Sequence, residues 1–296
     1  LGTRIDARHQ AAGNHTNGHQ SGWKATGGRG GRITCQTRGK SGELHSSFKD
    51  CFFGHQDSLG DAGTAAGNKS PHELKTQEIV NADGGIAGRD VVLLVKDDGY
   101  VAAQTIEFID ELIESENVFA LLTLGSPNTL AVYDKINDEC IPHPFVMTGH
   151  PAWGDPENHP WTSGLHMSYS TEAVLWGTWI KSNLADKLPV KVAGLVMDND
   201  FGLAYEIGFE LYAELNPDVV SEYLPVRHDP AAPTLTNEVT TIAAFDPDVF
   251  ISMTAGNPCV LAIQEVEAAG LLATLDAAYT PSVCKAIAAY MKPAGM

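Results

Sequence analysis

From about residue 73 to residue 275 the chain alternates short apolar runs with stretches of amphipathic helical period, and this alternation constrains the fold more than any other feature. Apolar runs of strand length bounded by turn residues are strands buried on both faces. Helices between them act as crossovers, which make neighbouring strands parallel. The pattern predicts a helix over Glu73–Asn81 that ends at Asp83-Gly84-Gly85, where glycine supplies the left-handed C-cap conformation. Strand Asp90–Lys96 follows, then helix Ala102–Glu114 with Ile106, Ile109 and Ile113 on one face. Next come buried strand Val118–Leu124, a helix opened by Ser126-Pro127 and running to Asn137, and strand Ile141–Met147.

After an irregular stretch rich in Pro, Gly and Trp (150–161) the alternation restarts. Helix Thr171–Leu184, strand Lys191–Met197, helix Phe201–Leu215, strand Val219–Val226, helix Pro233–Ala244, strand Val249–Met253, helix Pro258–Ala269 and strand Leu271–Leu275 are expected in that order. Two consecutive units of this kind predict an α/β protein of two Rossmann-like lobes, each a mostly parallel sheet flanked by helices, with a hinge near residues 162–170. Ligands of such sheets sit beyond the carboxyl ends of the strands, so the strand-to-helix turns are where a site is to be sought.

Composition narrows the function. Residues 1–60 carry 12 of the 29 glycines, eight Lys/Arg and four Asp/Glu, and no sustained apolar period; they read as disordered, or as something other than a native start. The remaining 11 basic and 33 acidic residues give positions 61–296 a net charge of −22, which repels nucleic acid and suits a solvated acidic surface. No run approaches the length of a membrane-spanning helix, and the opening LGTRIDARHQ shows no export signal. The GGRGG run at 27–31 has neither a preceding strand nor a following amphipathic helix and reads as low complexity. A GxSxG elbow, a Walker loop, an HExxH pair and a GxGxxG after a strand are all missing, so an enzyme is not indicated. His143, His150, His159, Asp155 and Glu157 match no metal-ligand spacing, and neither metal nor cofactor is expected.

Five segments carry a family likeness: VNADGGIAGRDVVLLVKDDGY (80–100), VFALLTLGSPNTLAVYDKINDECIP (118–142), FVMTGHPAWGDPENHPWTSG (145–164), MDNDFG (197–202) and DPDVFISMT (246–254). In order and spacing they resemble the leucine/isoleucine/valine-type substrate-binding proteins of ABC transporters, from about Glu78 to Met296. The resemblance implies a type I periplasmic binding fold and an extracytoplasmic solute binder working as a monomer. It would be periplasmic or a cell-surface lipoprotein, with membrane permease subunits as partners. A small-molecule-sensing regulatory domain of the same fold is the alternative, which attached signalling segments would distinguish. Segment 1–64 falls outside the likeness, 65–165 forms the first lobe, and 166–296 forms the second. A family-type first strand with its Thr-Gly-Pro-like turn is not legible before residue 65, nor are the final strands that recross into the first lobe, so the chain reads as incomplete at both ends.

The resemblance also implies a site. Ser126, at the start of a helix, is either a plain N-cap or a carboxylate donor, and the family pattern favours the donor. Thr148 and Gly149 end the next strand and would add hydroxyl, N–H and carbonyl groups, with His150 and Trp153 bordering the mouth or, for Trp153, packing beneath the loop. Tyr169 emerges from the crossover, and Asp200 and Phe201 stand where the second lobe covers a ligand. Thr254 with Ala255, and Tyr279 with Thr280, end later strands; they bring no acid to meet an ammonium, which leaves amino acids, amides, short-chain carboxylates and aromatic acids open. Cys259 and Cys284 follow strands of the second lobe at comparable turns, as a disulfide or as two buried thiols.

Overall fold

The computed structural model describes the backbone of residues 50–57 and 71–286, and the side chains of 77–284. The first half is built from β1 (Asp50–Asp57), α1 (Pro71–Ala82), β2 (Asp90–Asp97), α2 (Ala102–Glu114), β3 (Ala120–Leu122), α3 (Ser126–Asp138), β4 (His143–Val146) and β5 (Thr162–Gly164). Strand β1 runs parallel between β2 and β3, with Phe53 opposite both Leu93 and Ala120. A parallel bridge between Leu124 and Met147 continues the layer to β4, and β4 is parallel to β5. The second half comprises α4 (Tyr169–Asn183), β6 (Val190–Met197), α5 (Asp200–Leu215), β7 (Val220–His228), α6 (Thr236–Phe245), β8 (Val249–Met253), α7 (Asn257–Ala268), β9 (Ala277–Tyr279) and the short α8 (Ser282–Ala286). Its sheet is parallel throughout, in the order β7-β6-β8-β9.

Both halves share one winding logic. The chain steps from the first strand to one side and then returns past it to the other, which leaves a switch point beside β1 in one sheet and beside β6 in the other. Strand β6 is buried at all but Lys191, and its two faces feed two cores. Val190, Val192 and Val196 join Tyr169, Trp176, Tyr205 and Phe209 on the α4–α5 side. Ala193 and Leu195 join Leu235, Val239, Ile242, Ala262 and Val266 on the α6–α7 side. In the first half, Ile109, Leu112, Leu121, Val132 and Ile136 form the core between α2, α3 and β3.

Helix ends follow local chemistry. Past Ala82, Gly85 N–H reaches Val80 O and Gly84 N–H reaches Asn81 O, a Schellman closure with both glycines at positive φ. Helix α5 opens on Asn199, whose Oδ1 accepts from the N–H groups of Phe201 and Gly202. Helix α6 begins three residues later than expected, because the Glu265 carboxylate of α7 takes the Leu235 N–H and the Thr234 hydroxyl and draws buried Leu235 into the core ahead of the first turn.

Three expectations need correction. Segment 1–64 was expected to hold no strand, yet β1 falls within it; the rest of that segment lies outside the described residues. The buried stripe of α2 is Thr105, Ile109 and Leu112, with Ile106 exposed, because the Thr105 hydroxyl turns inward to Asp98. Leu271–Leu275 is not a strand: Gly270 turns left-handed at the end of α7, Leu271 drops into the core in a 3-10 turn, and the edge strand is Ala277–Tyr279.

Candidate functional site

Beyond the carboxyl end of β3 the chain passes through Gly125, at φ +92°, and enters α3 at Ser126 with Pro127 in the first turn. The Ser126 Oγ lies 2.6 Å from Thr148 Oγ1 at the end of the neighbouring strand, and both side chains are fully buried. Between them these hydroxyls bond each other and the Tyr169 phenol, so they meet a bound anion by exchanging one of those bonds. The first turn of α3 adds backbone N–H groups and the positive end of its dipole. Thr148 is fixed from behind by the Trp153 indole, which donates to its carbonyl at 3.0 Å while resting edge-on against Tyr133. Trp153 therefore packs beneath the loop rather than at its mouth.

Tyr169, the first residue of α4, covers this pair. Its N–H donates to Gly149 O at 2.7 Å, and its ring lies where a Cβ on Gly149 would approach to 2.6 Å, so only glycine fits there. Burial pushes the Tyr169 phenol up, opposed by hydrogen bonds from the Thr148 side chain and the Gly149 backbone. From the second sheet, Phe201 meets Tyr169 edge-on at 4.9 Å and Tyr205 stacks on it at 4.4 Å. His150 accepts from Ala152 N–H through Nδ1; burial lowers its pKa, and the Asp200 carboxylate of α5 opposes that shift. Ser126, Thr148, Gly149, His150, Tyr169, Asp200 and Phe201 are thus brought together.

Two expected residues stand apart. Thr254 is buried against Ser252, 2.9 Å between hydroxyls, with its carbonyl facing the sulfurs of Cys259 and Cys284. Tyr279 packs on Trp176 and Trp179, and Trp176 lies two helical turns, about 10 Å, along α4 from Tyr169. Cys259 and Cys284 are joined as a disulfide with Cα atoms 5.9 Å apart. No group of three or more metal-ligating side chains is gathered among the described residues, and none of their helices is long and apolar enough to cross a membrane.

Sequence reasoning missed Tyr100 and Asn199. Asp98-Gly99-Tyr100-Val101 is a turn with both central residues left-handed, closed by Val101 N–H to Asp98 O at 2.9 Å. It projects the Tyr100 ring over Gly125, and Asn199 caps α5 beside Asp200. The signal that marks it is Asp-Gly directly after a strand, which foretells a turn but not where its third residue points.

Comparison with known proteins bears on the fold. The family model described as periplasmic binding protein matches residues 77–293. A fatty acid ABC transporter substrate-binding protein from Thermomonospora curvata superposes with a TM-score of 0.65 at 20% identity, over 83% of this chain and 61% of that one. An ABC transporter solute-binding protein from Rhodopseudomonas palustris, in complex with 3,4-dihydroxybenzoic acid, gives 0.62 at 16% identity over 80% and 63%. A leucine-binding protein from Thermotoga maritima gives 0.60 at 14% identity over 74% and 61%. The chain spans about three fifths of the length of these solved structures. A search of curated proteins returns no significant match. On the strength of the family match across most of its length, the chain belongs to the periplasmic binding protein family.

Proposed function

We propose that the chain is the solute-binding component of an ABC importer, working outside the cytoplasm and delivering its solute to membrane permease subunits. Residues 65–165 act as one lobe and 166–296 as the other, and the solute is buried when the second closes on the first. The observation that carries this reading is the Ser126–Thr148 hydroxyl pair at the start of α3, buried under Tyr169 and faced by Phe201 from the other sheet. Neutral donors at a helix N-terminus under an aromatic cover suit a small carboxylate with an apolar body. Fatty acid, dihydroxybenzoate and leucine, named for the structural neighbours, all have a carboxylate and an apolar portion. Asp200, beside Phe201 at the start of α5, would be the acid to meet an ammonium, so it separates amino-acid from simple acid ligands.

A thermal-shift screen with leucine, benzoate and a short-chain fatty acid tests the reading. A true solute at a hundredfold excess over its Kd stabilises the protein by about 2.7 kcal/mol. Ser126→Ala is expected to weaken binding of that solute about tenfold or more, the worth of a hydrogen bond to a charged group. If none of the three raises the melting temperature, or if Ser126→Ala leaves the shift intact, the site is misassigned.

A further inference from the structure

Behind Tyr169 the core holds an acid where an apolar side chain would pack as well. Glu172 stands one turn further along α4 and is buried, and no cation pairs with it among the described residues. Three donors meet it instead: the Tyr205 hydroxyl at 2.7 Å, the Ser282 N–H at 2.8 Å and the Ser282 hydroxyl at 3.0 Å. The first turn of a helix suits a carboxylate, because its unpaired N–H groups leave that end positive. This explains why the acid is tolerated, not why it is there, since a buried ionic group seldom stabilises a core more than an apolar one of its size. The three bonds point to orientation as its task.

What it orients is a stack of rings. Tyr205 of α5 lies on Tyr169 with centroids 4.4 Å apart and planes 18° apart, and on Trp176 at 5.1 Å and 11°. Tyr169 and Trp176 are two turns apart on α4, so the Tyr205 ring is wedged between them from the neighbouring helix. Phe201 meets both tyrosines edge-on, at 4.9 Å and 5.4 Å. Gly149 approaches the Tyr169 ring so closely that a Cβ there would stand 2.6 Å from it. The cover over the Ser126–Thr148 pair therefore cannot tilt far without moving Tyr205, and Tyr205 is held by its hydroxyl on Glu172.

We propose that Glu172 is a positioning residue for solute binding: through the Tyr205 hydroxyl it sets the tilt of the Tyr169 ring, and with it how long a solute is retained beneath that ring. The purpose rests on the solute-binding reading, whereas the alignment of Tyr169 by Glu172 is a property of the protein alone. A preset cover spares the solute the cost of ordering it, so a loosened cover shows as faster release more than as slower capture.

A double-substitution cycle on the full 296-residue chain tests this. Tyr205→Phe keeps the stacked ring and loses only the anchoring hydroxyl. Glu172→Gln keeps the shape and still meets Ser282, but offers Tyr205 a weaker, neutral bond. Benzoate and leucine are offered to wild type, to both single variants and to the double variant, and release is followed by stopped flow. Each single substitution is expected to speed release about fivefold or more, and the double variant to release no faster than Tyr205→Phe, because both changes remove the same interaction. Unchanged release from the single variants overturns the proposal, and so do effects that multiply in the double variant, which would mark two separate structural roles. A second readout needs no solute. The Tyr169 ring protons, observed by NMR on tyrosine-labelled protein and assigned with Tyr169→Phe, lie in the ring current of residue 205, which phenylalanine preserves. They are expected to shift in both single variants, and signals that stay at their wild-type positions overturn the proposal. If neither probe binds wild type, the solute reading fails, and the ring signals alone decide the positioning.

Discussion

Buried polar side chains in the first half are arranged in small groups, and His143 is the most informative. Its Nε2 lies 2.8 Å from the Thr123 hydroxyl and its Nδ1 3.2 Å from the Thr162 hydroxyl, with no acid in contact, and burial lowers its pKa to about 4. An unfolded chain takes up this proton near pH 6.5, the folded one only near 4, so between those values the unfolded state holds more protons. Stability therefore falls as pH drops through that window, by about 3 kcal/mol in all, and the loss is complete below pH 4. His143→Gln is expected to flatten that part of the curve; chemical denaturation at pH 7, 5.5 and 4 measures it, and an unaltered slope would show that other groups govern the acid limb. The position of His143 between two threonines was not legible, because Thr123 and Thr162 are distant in sequence and meet only when β4 joins its neighbours. Ser126 and Thr148 were legible, since strand ends and a Ser-Pro helix start announce themselves locally. Tyr100 was not, since nothing in Asp-Gly-Tyr tells that the ring lies over Gly125.

At the scale of elements, the second half was read more closely than the first because β6 and β8 are buried on both faces and α5 opens on a clear Asn199 cap. Boundaries of β8 match the expected range, and α5 shifts by a single residue. Where the reading failed, a local signal was ambiguous or overruled: Leu271–Leu275 has the apolar content of a strand but begins after a left-handed Gly270, and β1 has only three consecutive apolar residues, Cys51–Phe53, in a glycine-rich context. The close packing of α4 on α5 was hidden for another reason, since glycine inside a helix ordinarily only weakens it. Here Gly208 admits the backbone of Ser170, 2.5 Å from where a Cβ would stand, and Gly177 admits the Tyr212 ring. Backbone cannot rotate out of the way, so Gly208→Ala is expected to cost about 1–3 kcal/mol despite the better helix propensity of alanine. Urea unfolding of Gly208→Ala reads this directly, and a neutral or stabilising effect would mean the two helices separate without penalty.

Across the molecule, the second sheet ends on its weakest member. Among the described residues strand β9 has three residues, pairs only with β8, and forms an edge that hydrogen bonding alone holds poorly. The Cys259–Cys284 disulfide ties the start of α7 to the segment just after β9, so the edge strand lies inside a covalent loop of sequence separation 25. In the chain-entropy account, a loop of that size restrains the unfolded chain by about 3 kcal/mol. A second tie runs through Glu172 of α4, whose carboxylate accepts the Tyr205 hydroxyl at 2.7 Å and the Ser282 N–H at 2.8 Å. Both ties fall on α8, at Ser282 and Cys284, so cutting the sulfur link is expected to loosen β9 without unfolding the sheet. A Cys259→Ala/Cys284→Ala variant separates this bond from the remaining cysteines. It is predicted to melt several degrees lower than wild type, to exchange the amides of Ala277–Tyr279 faster, and to retain the protection of β6. Wild-type protein treated with a reductant should move toward the same melting temperature. Equal melting of variant and wild type would mean that the Glu172 contacts suffice to hold the edge.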